Sequence, residues 1–304
     1  MFSTTRREFL AASAIGLSLE RLGALPLAQI KLGVTTDEID DDVLTAVKFL
    51  QEYNLHWAEV RNIWGKYNTA QPAEKVKEAN GIFDSNGIKV SIEGTPFFKV
   101  PLPADDAEGR KKLDKEWTVL DAAMERAKIF GTDKLRVFGF TYGRDEKPAA
   151  NAYDRIYELI TEAARRARER GLRLALENVG NSYIWTGEES GRMLKQVKAD
   201  NLGLTWDPNN AAEKGERPFP DGYRKLDPAR IFHVHVRDFR HDGDKVVWAP
   251  VGGGEFDNLA HIRALLKDGY KETFTLETHW KGPGGKAASS ATSLKGLLKV
   301  IEQV

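Results

Sequence analysis

The chain contains no cysteine. That excludes disulfides, thiolate metal sites, a cysteine nucleophile and a lipid-anchored cysteine behind a leader. Any metal it holds must use oxygen and imidazole ligands. An excess of either charge is also missing, since Lys plus Arg is 45 and Asp plus Glu is 45. A nucleic-acid binder usually carries a basic surplus to meet phosphates, so no nucleic-acid partner is expected. No apolar run approaches the roughly 20 residues that span a bilayer. A glycine-rich phosphate loop after the first apolar strand is absent too; Gly33-Val34-Thr35-Thr36-Asp37 stands there instead, which argues against a doubly wound nucleotide-binding sheet.

The N-terminus reads as an address. Thr5-Arg6-Arg7-Glu8-Phe9-Leu10 looks like a twin-arginine export signal, and an apolar stretch follows to Leu19. That stretch is too short to be a stable membrane span. Ala28 is the candidate cleavage point, so residues 1–28 are expected to be a twin-arginine leader and the destination periplasmic. About 275 residues then remain, a length that one large domain fills. A hydrophobic share of 41% supports a sizeable core, and a charged share of 30% a soluble surface.

From Ile30 onward the pattern alternates strand and helix. Strands are expected at Ile30–Thr36, Trp57–Trp64, Lys89–Phe98, Lys134–Thr141, Arg173–Val179, Leu202–Asp207, Ile231–Asp238 and Thr273–His279. Between them, apolar residues fall at helical spacing, most clearly at Leu113, Trp117, Leu120, Met124 and Ala127. A hairpin is expected over Lys245–Phe256, turning at Gly252-Gly253-Gly254. Eight strands alternating with helices predict a parallel sheet, and eight is the number that closes a barrel. The expected fold is a single-domain α/β structure, a (β/α)8 TIM barrel over residues 29–304.

Active sites of such barrels sit at the C-terminal ends of the strands. The fifth to eighth strands end in Glu177, Asp207, His235 and Glu277. One carboxylate after an apolar strand is usually a solvated loop residue or a helix cap. Four in succession are different, because burying several carboxylates together costs several kcal/mol unless a cation compensates. Three carboxylates and one imidazole suit one divalent ion, with Mn²⁺ the first choice and Co²⁺, Mg²⁺ or Zn²⁺ the others. Substrate contacts are expected from Arg61, Glu93, Arg136, Asn210, His233 and Arg237. For His233 a packed, hydrogen-bonded barrel histidine is an equal alternative, and for Arg61 and Arg136 neutralising interior carboxylates is the favoured alternative.

The strand-end pattern resembles the sugar phosphate isomerase/epimerase family, the xylose isomerase-like barrels that include the ketose 3-epimerases. The motifs that carry the resemblance are Leu176-Glu177-Asn178, Trp206-Asp207-Pro208, His233-Val234-His235-Val236-Arg237-Asp238 and Leu276-Glu277. The turn Pro250–Asp257 is similar to the family's glycine-rich hairpin. The resemblance implies that Glu177, Asp207, His235 and Glu277 hold the metal, and that Glu177 and Glu277 act as acid and base on opposite faces of the substrate. Such a pair would work through an enediolate, giving epimerisation or isomerisation of a sugar or sugar derivative. The alternative is a metal-dependent lyase or hydrolase acting on a keto-glycoside with the same site. Asn210 stands where the ketose epimerases carry a histidine, so a simple ketohexose epimerase is not expected. An endonuclease of the same barrel would need more than six histidines and a basic face. The expected partner is a small carbohydrate, with no stable membrane anchor once the leader is cleaved; self-association into a homo-oligomer stays open.

Overall fold

The structure, a computed structural model, describes residues 30–143 and 146–304. The expected leader, residues 1–28, lies outside the described residues. Strands β1 (Leu32–Thr35) and β2 (Trp57–Val60) are followed by a small hairpin of β3 (Asn62–Ile63) and β4 (Lys66–Tyr67). Then come β5 (Lys89–Gly94), β6 (Lys134–Val137), β7 (Arg173–Glu177), β8 (Leu202–Trp206) and β9 (Ile231–Val236). A second hairpin pairs β10 (Asp238–Asp242) with β11 (Lys245–Ala249), and β12 (Phe274–Leu276) is last. The strands outside the two hairpins close into one parallel barrel, in the order β1-β2-β5-β6-β7-β8-β9-β12 and back to β1. The helices are α1 (Val43–Glu52), α2 (Ala73–Ser85), α3 (Ala107–Phe130), α4 (Tyr153–Arg168), α5 (Gly187–Gln196), α6 (Pro208–Glu213), α7 (Asn258–Lys267) and α8 (Gly285–Ile301). Among the described residues no helix is long and apolar enough to cross a membrane.

Local chemistry sets the helix starts. Asp42, Asp106 and Asp257 accept from backbone N–H groups in the first turns of α1, α3 and α7. Thr186 and Glu189 form a reciprocal capping box on α5. Asp207 caps α6, with Pro208 at its first position, where a missing N–H costs nothing. The main apolar core lies between barrel and helices, where Val34, Val60, Leu135, Leu174, Leu204, Val234 and Leu276 are buried. Alternation then sends the intervening strand residues into the barrel, and many of these are polar.

The barrel strands all stop short of the expected C-terminal end, and β1 and β12 also start later than expected. The second was expected to reach Trp64, but the ladder stops at Val60 and the chain doubles back through Gly65, whose φ is +76°. Past those points the backbone leaves the extended conformation, with positive φ at Trp64, Phe98, Phe140 and His279. The hairpin after β9 also differs from expectation. It turns at Gly243-Asp244, and the run Gly252-Gly253-Gly254 follows it as a loop. That loop wraps around Asp238, whose carboxylate accepts from the N–H groups of Phe239, Gly252, Phe256 and Gly254 at 2.9–3.2 Å. A Cβ at Gly254 would lie 2.1 Å from Asp238 Oδ1, so only glycine fits.

Glu93 needs correction as a substrate contact. Its neighbour Gly94 faces the barrel interior, where an added Cβ would meet Arg61 and Arg136. Glu93 therefore faces outward, under α3, with Arg126 as the nearest charge. It is fully buried, and neither carboxyl oxygen has a hydrogen-bond partner. Burial raises its pKa well above the ordinary range, against the opposing pull of Arg126.

Two measurements follow from these contacts. Replacing Asp238 with alanine strands several buried N–H groups at about 1–3 kcal/mol each, so urea unfolding should show a loss of at least ~2 kcal/mol at an unchanged m-value. A loss under ~0.5 kcal/mol would show that the loop does not depend on that carboxylate. For Glu93 the raised pKa means that the folded state holds the proton longer, so stability falls as pH rises from the ordinary value of about 4.3. Glu93→Gln should remove that slope and raise the melting temperature near neutrality. An unchanged slope in the variant would refute the assignment.

Candidate metal centre

The barrel interior gathers the four residues expected to hold an ion. Glu177 ends β7, Asp207 follows β8, His235 lies in β9 and Glu277 follows β12. All four are buried, and one donor atom from each lies within 4.8 Å of the others. His235 Nδ1 is 3.2 Å from Glu277 Oε2 and 3.5 Å from both Glu177 Oε1 and Asp207 Oδ2.

The state of His235 is set from behind. Its Nε2 lies 2.8 Å from Glu59 Oε2, and an ionised carboxylate can only accept, so Nε2 carries the hydrogen. That leaves the Nδ1 lone pair pointing at the three carboxylates. Nδ1 is buried and hydrogen-bonded to nothing. An orphaned lone pair beside three carboxylate oxygens is a donor set that fits one divalent ion, with the outer carboxylate orienting the imidazole. Burial alone would depress the His235 pKa, yet Glu59, Glu277 and Glu177 raise it well above the imidazole range. The pocket thus draws positive charge to Nδ1, which a divalent cation supplies in place of a proton.

Three arginines brace the carboxylates. Arg136 Nη1 donates to Glu59 Oε1 at 3.0 Å, and its Nε lies 3.3 Å from Glu177 Oε2. Arg237 Nη2 pairs with Asp207 Oδ2 and donates to Asn210 Oδ1 at 2.7 Å. Arg61 donates to Asp37, Glu38 and Glu277 at 2.9, 3.0 and 2.7 Å. Burial would raise the Glu59 and Glu177 pKa values, but His235 and Arg136 hold both below the usual range; the Nε2 hydrogen that His279 turns toward it, and His235, do the same for Glu277. Asp37, Glu38, Glu59, Glu177, Asp207 and Glu277 still outnumber the three guanidiniums and Lys99, which interacts with Glu177 and Glu277, so the cluster favours a further cation.

Asp207 has two tasks. Its Oδ1 accepts from Asn209 N and Asn210 N at the start of α6, at 2.9 and 3.2 Å. Its Oδ2 is left to face His235. Asn178 locks the same segment, exchanging 2.8 Å hydrogen bonds with the Asp207 backbone N–H and carbonyl.

Of the expected substrate contacts, Arg61 is the one that lines a cavity beside the centre, a space of about 940 Å³ also walled by Trp248 and Trp280. His233, Arg136, Asn210 and Arg237 are buried among the carboxylates and hold them. His233 in particular lies behind His235, with Nε2 3.2 Å from Glu59 Oε2, which is the packed, hydrogen-bonded alternative and not the substrate contact. Glu93 is not in the site. The pattern underrated Glu59, whose spacing from Arg61 put both on one strand face, and His279, which follows Glu277 beyond the end of β12 with a positive φ. Asp37 and Glu38 follow a strand with no ionisable residue at its C-terminal end, and nothing in the sequence marked them.

Comparison with known proteins agrees with this architecture. Residues 47–299 match the model of a family described as the xylose isomerase-like TIM barrel. No curated protein matches the chain. The solved structure of an IOLI protein with a bound zinc atom superposes with a TM-score of 0.72 at 19% identity, covering 90% of this chain and 99% of the other. A Mycobacterium smegmatis xylose isomerase-like TIM barrel protein in complex with magnesium gives 0.66 at 18% identity, over 86% and 88%. An L-ribulose 3-epimerase gives 0.70 at 15% identity, over 90% and 95%. At these identities the structures establish the shared fold, and the family match extends over most of the length: the chain belongs to the xylose isomerase-like TIM barrel family.

Proposed function

We propose that the chain is a divalent-metal-dependent isomerase or epimerase of a sugar or sugar derivative. One observation carries this reading: the buried, unpartnered Nδ1 of His235 converges with three carboxylates, two of them the glutamates expected to act as acid and base. A divalent cation held by Glu177, Asp207, His235 and Glu277 would polarise a substrate carbonyl and acidify the neighbouring C–H. Glu277 would remove that proton and Glu177 would return one to the other face, inverting the centre. Arg136 keeps Glu177 ionised and placed. Mn²⁺ is the proposed ion; zinc and magnesium appear in the titles of the two superposed metal-containing structures.

The cavity supports a carbohydrate as the partner. Trp280 stacks over the backbone of Gly282, and Trp248 is backed by the Arg237 guanidinium at 4.6 Å, so both indoles are held in place. Rigid indoles flanking Arg61 and Glu38 suit a ring with apolar faces and hydroxyl edges. With the proposed twin-arginine leader, this points to an extracytoplasmic sugar. A cavity of about 940 Å³ is at the upper end of small-ligand pockets. It therefore also favours the second reading, a lyase or hydrolase of a keto-glycoside, which would use the same proton abstraction to expel a leaving group.

The test begins with metal analysis of purified protein. About one divalent ion per chain, lost or much weakened in Glu277→Ala, is expected; no ion and no thermal stabilisation by Mn²⁺, Co²⁺ or Zn²⁺ would defeat the mechanism. Sugars and keto-glycosides are then screened in D₂O, where deuterium entering a substrate C–H marks an isomerase or epimerase and a released aglycone marks the second reading. A further expectation concerns Glu59. Glu59→Gln removes the acceptor that fixes His235, and metal affinity should fall about 10–100-fold. Unchanged affinity in a folded variant would show that Glu59 does not orient the ligand.

A further inference from the structure

A second group of metal-type donors lies against the first. Glu38, Glu277 and His279 bring donor atoms within 4.8 Å of one another. Asp37 adjoins them; its side chain is buried, and Oδ1 has no hydrogen-bond partner. Glu277 belongs to both groups. Its Oε2 faces His235 Nδ1 at 3.2 Å, and its Oε1 faces His279 Nε2 at 3.5 Å. A carboxylate set between two such groups has the placement of a bridge between two ions.

Two arginines change that outcome. Arg61 fills the space between the carboxylates, with Nε on Asp37, Nη2 on Glu38 and Nη1 on Glu277 Oε1. Arg237 Nη1 meets His279 Nδ1 at 2.7 Å. Arginine has no acceptor, so Nδ1 must accept, and the neutral ring then carries its hydrogen on Nε2. Nε2 is the nitrogen that faces Glu38 and Glu277. A nitrogen bearing hydrogen has no lone pair for a metal. His235 is arranged the opposite way, with its hydrogen turned to Glu59 and its lone pair turned to the carboxylates.

We propose that Arg61 occupies the position of a second metal ion, so that the centre takes one ion and Glu277 is shared between that ion and a fixed guanidinium. This rests on the reading of Glu177, Asp207, His235 and Glu277 as ligands. Arg61 is then a positioning residue. It holds Glu277 Oε1 and leaves Oε2 to the ion. Three of its five N–H groups are engaged, and the side chain, 16% exposed, keeps two for an oxygen of a molecule in the cavity.

Metal content after equilibration with excess Mn²⁺ tests the proposal. Wild-type protein should hold one ion per chain and Arg61→Met two, the second on the carboxylates of Asp37, Glu38 and Glu277 that the guanidinium otherwise holds. Arg61→Lys, which keeps a cation there, should hold one, and so should Arg61→Met combined with Glu38→Gln. One ion in both wild type and a folded Arg61→Met overturns the inference alone, and so do two ions in wild type. No ion in wild type instead overturns the ligand reading beneath it. Should Arg61→Met fail to fold, electron paramagnetic resonance of wild type decides. An isolated Mn²⁺ signal through to saturation is expected, and a spin-coupled pair at saturation would overturn the proposal.

Discussion

The barrel interior is governed by one problem, the repulsion among carboxylates brought together out of water. Each would be expensive to bury alone, and side by side they are worse. Much of the interior can be understood as the answer. Arg136 lies between Glu59 and Glu177, Arg237 meets Asp207, and Arg61 ties Asp37 and Glu38 to Glu277. What the guanidiniums leave uncompensated is concentrated at one point, the Nδ1 face of His235. The rigid parallel barrel is what allows this, because adjacent strands deliver their terminal residues to the same height around one axis.

Much of this was legible in the residues. The alternation of apolar strands with amphipathic helices was enough to predict the closed barrel, since each strand reads as a continuous or alternating apolar run. The convergence of Glu177, Asp207, His235 and Glu277 was legible because they end successive strands, and a strand end has one place to go in a barrel. Glu93 was misread because Ser91 and Glu93 share the polar face of their strand, the face expected to point into a polar barrel interior, whereas it is the face of Ile92 and Gly94 that points inward. The hairpin was misplaced because three consecutive glycines outweigh a single Gly243 as a turn signal, whereas the glycines are needed for close approach to Asp238.

The arginines were harder to read. Arg136 and Arg237 sit at positions that suit substrate anions equally well, and the difference lies in whether carboxylates from distant strands reach them first. Asp207 illustrates the general difficulty. From sequence, Asp-Pro before a polar stretch is a helix cap, and from its place at a strand end it is a candidate ligand; one oxygen caps α6 and the other is left facing His235. The tautomers of His235 and His279 are further from sequence still, since they depend on which neighbour can only donate and which can only accept.

The stacking of Arg237 on Trp248 joins two things that are otherwise separate. One face of the guanidinium supports a wall of the cavity, and its edge holds Asp207 beside the ion site. A ring pressed against that indole and an ion drawing on that carboxylate therefore act on the same planar group from two directions. Thermodynamic linkage makes any such influence reciprocal: if occupancy of the cavity strengthens the hold on the ion, the ion strengthens the hold on whatever occupies the cavity by the same factor. Arg237 gives the barrel a physical route for that exchange across a single side chain.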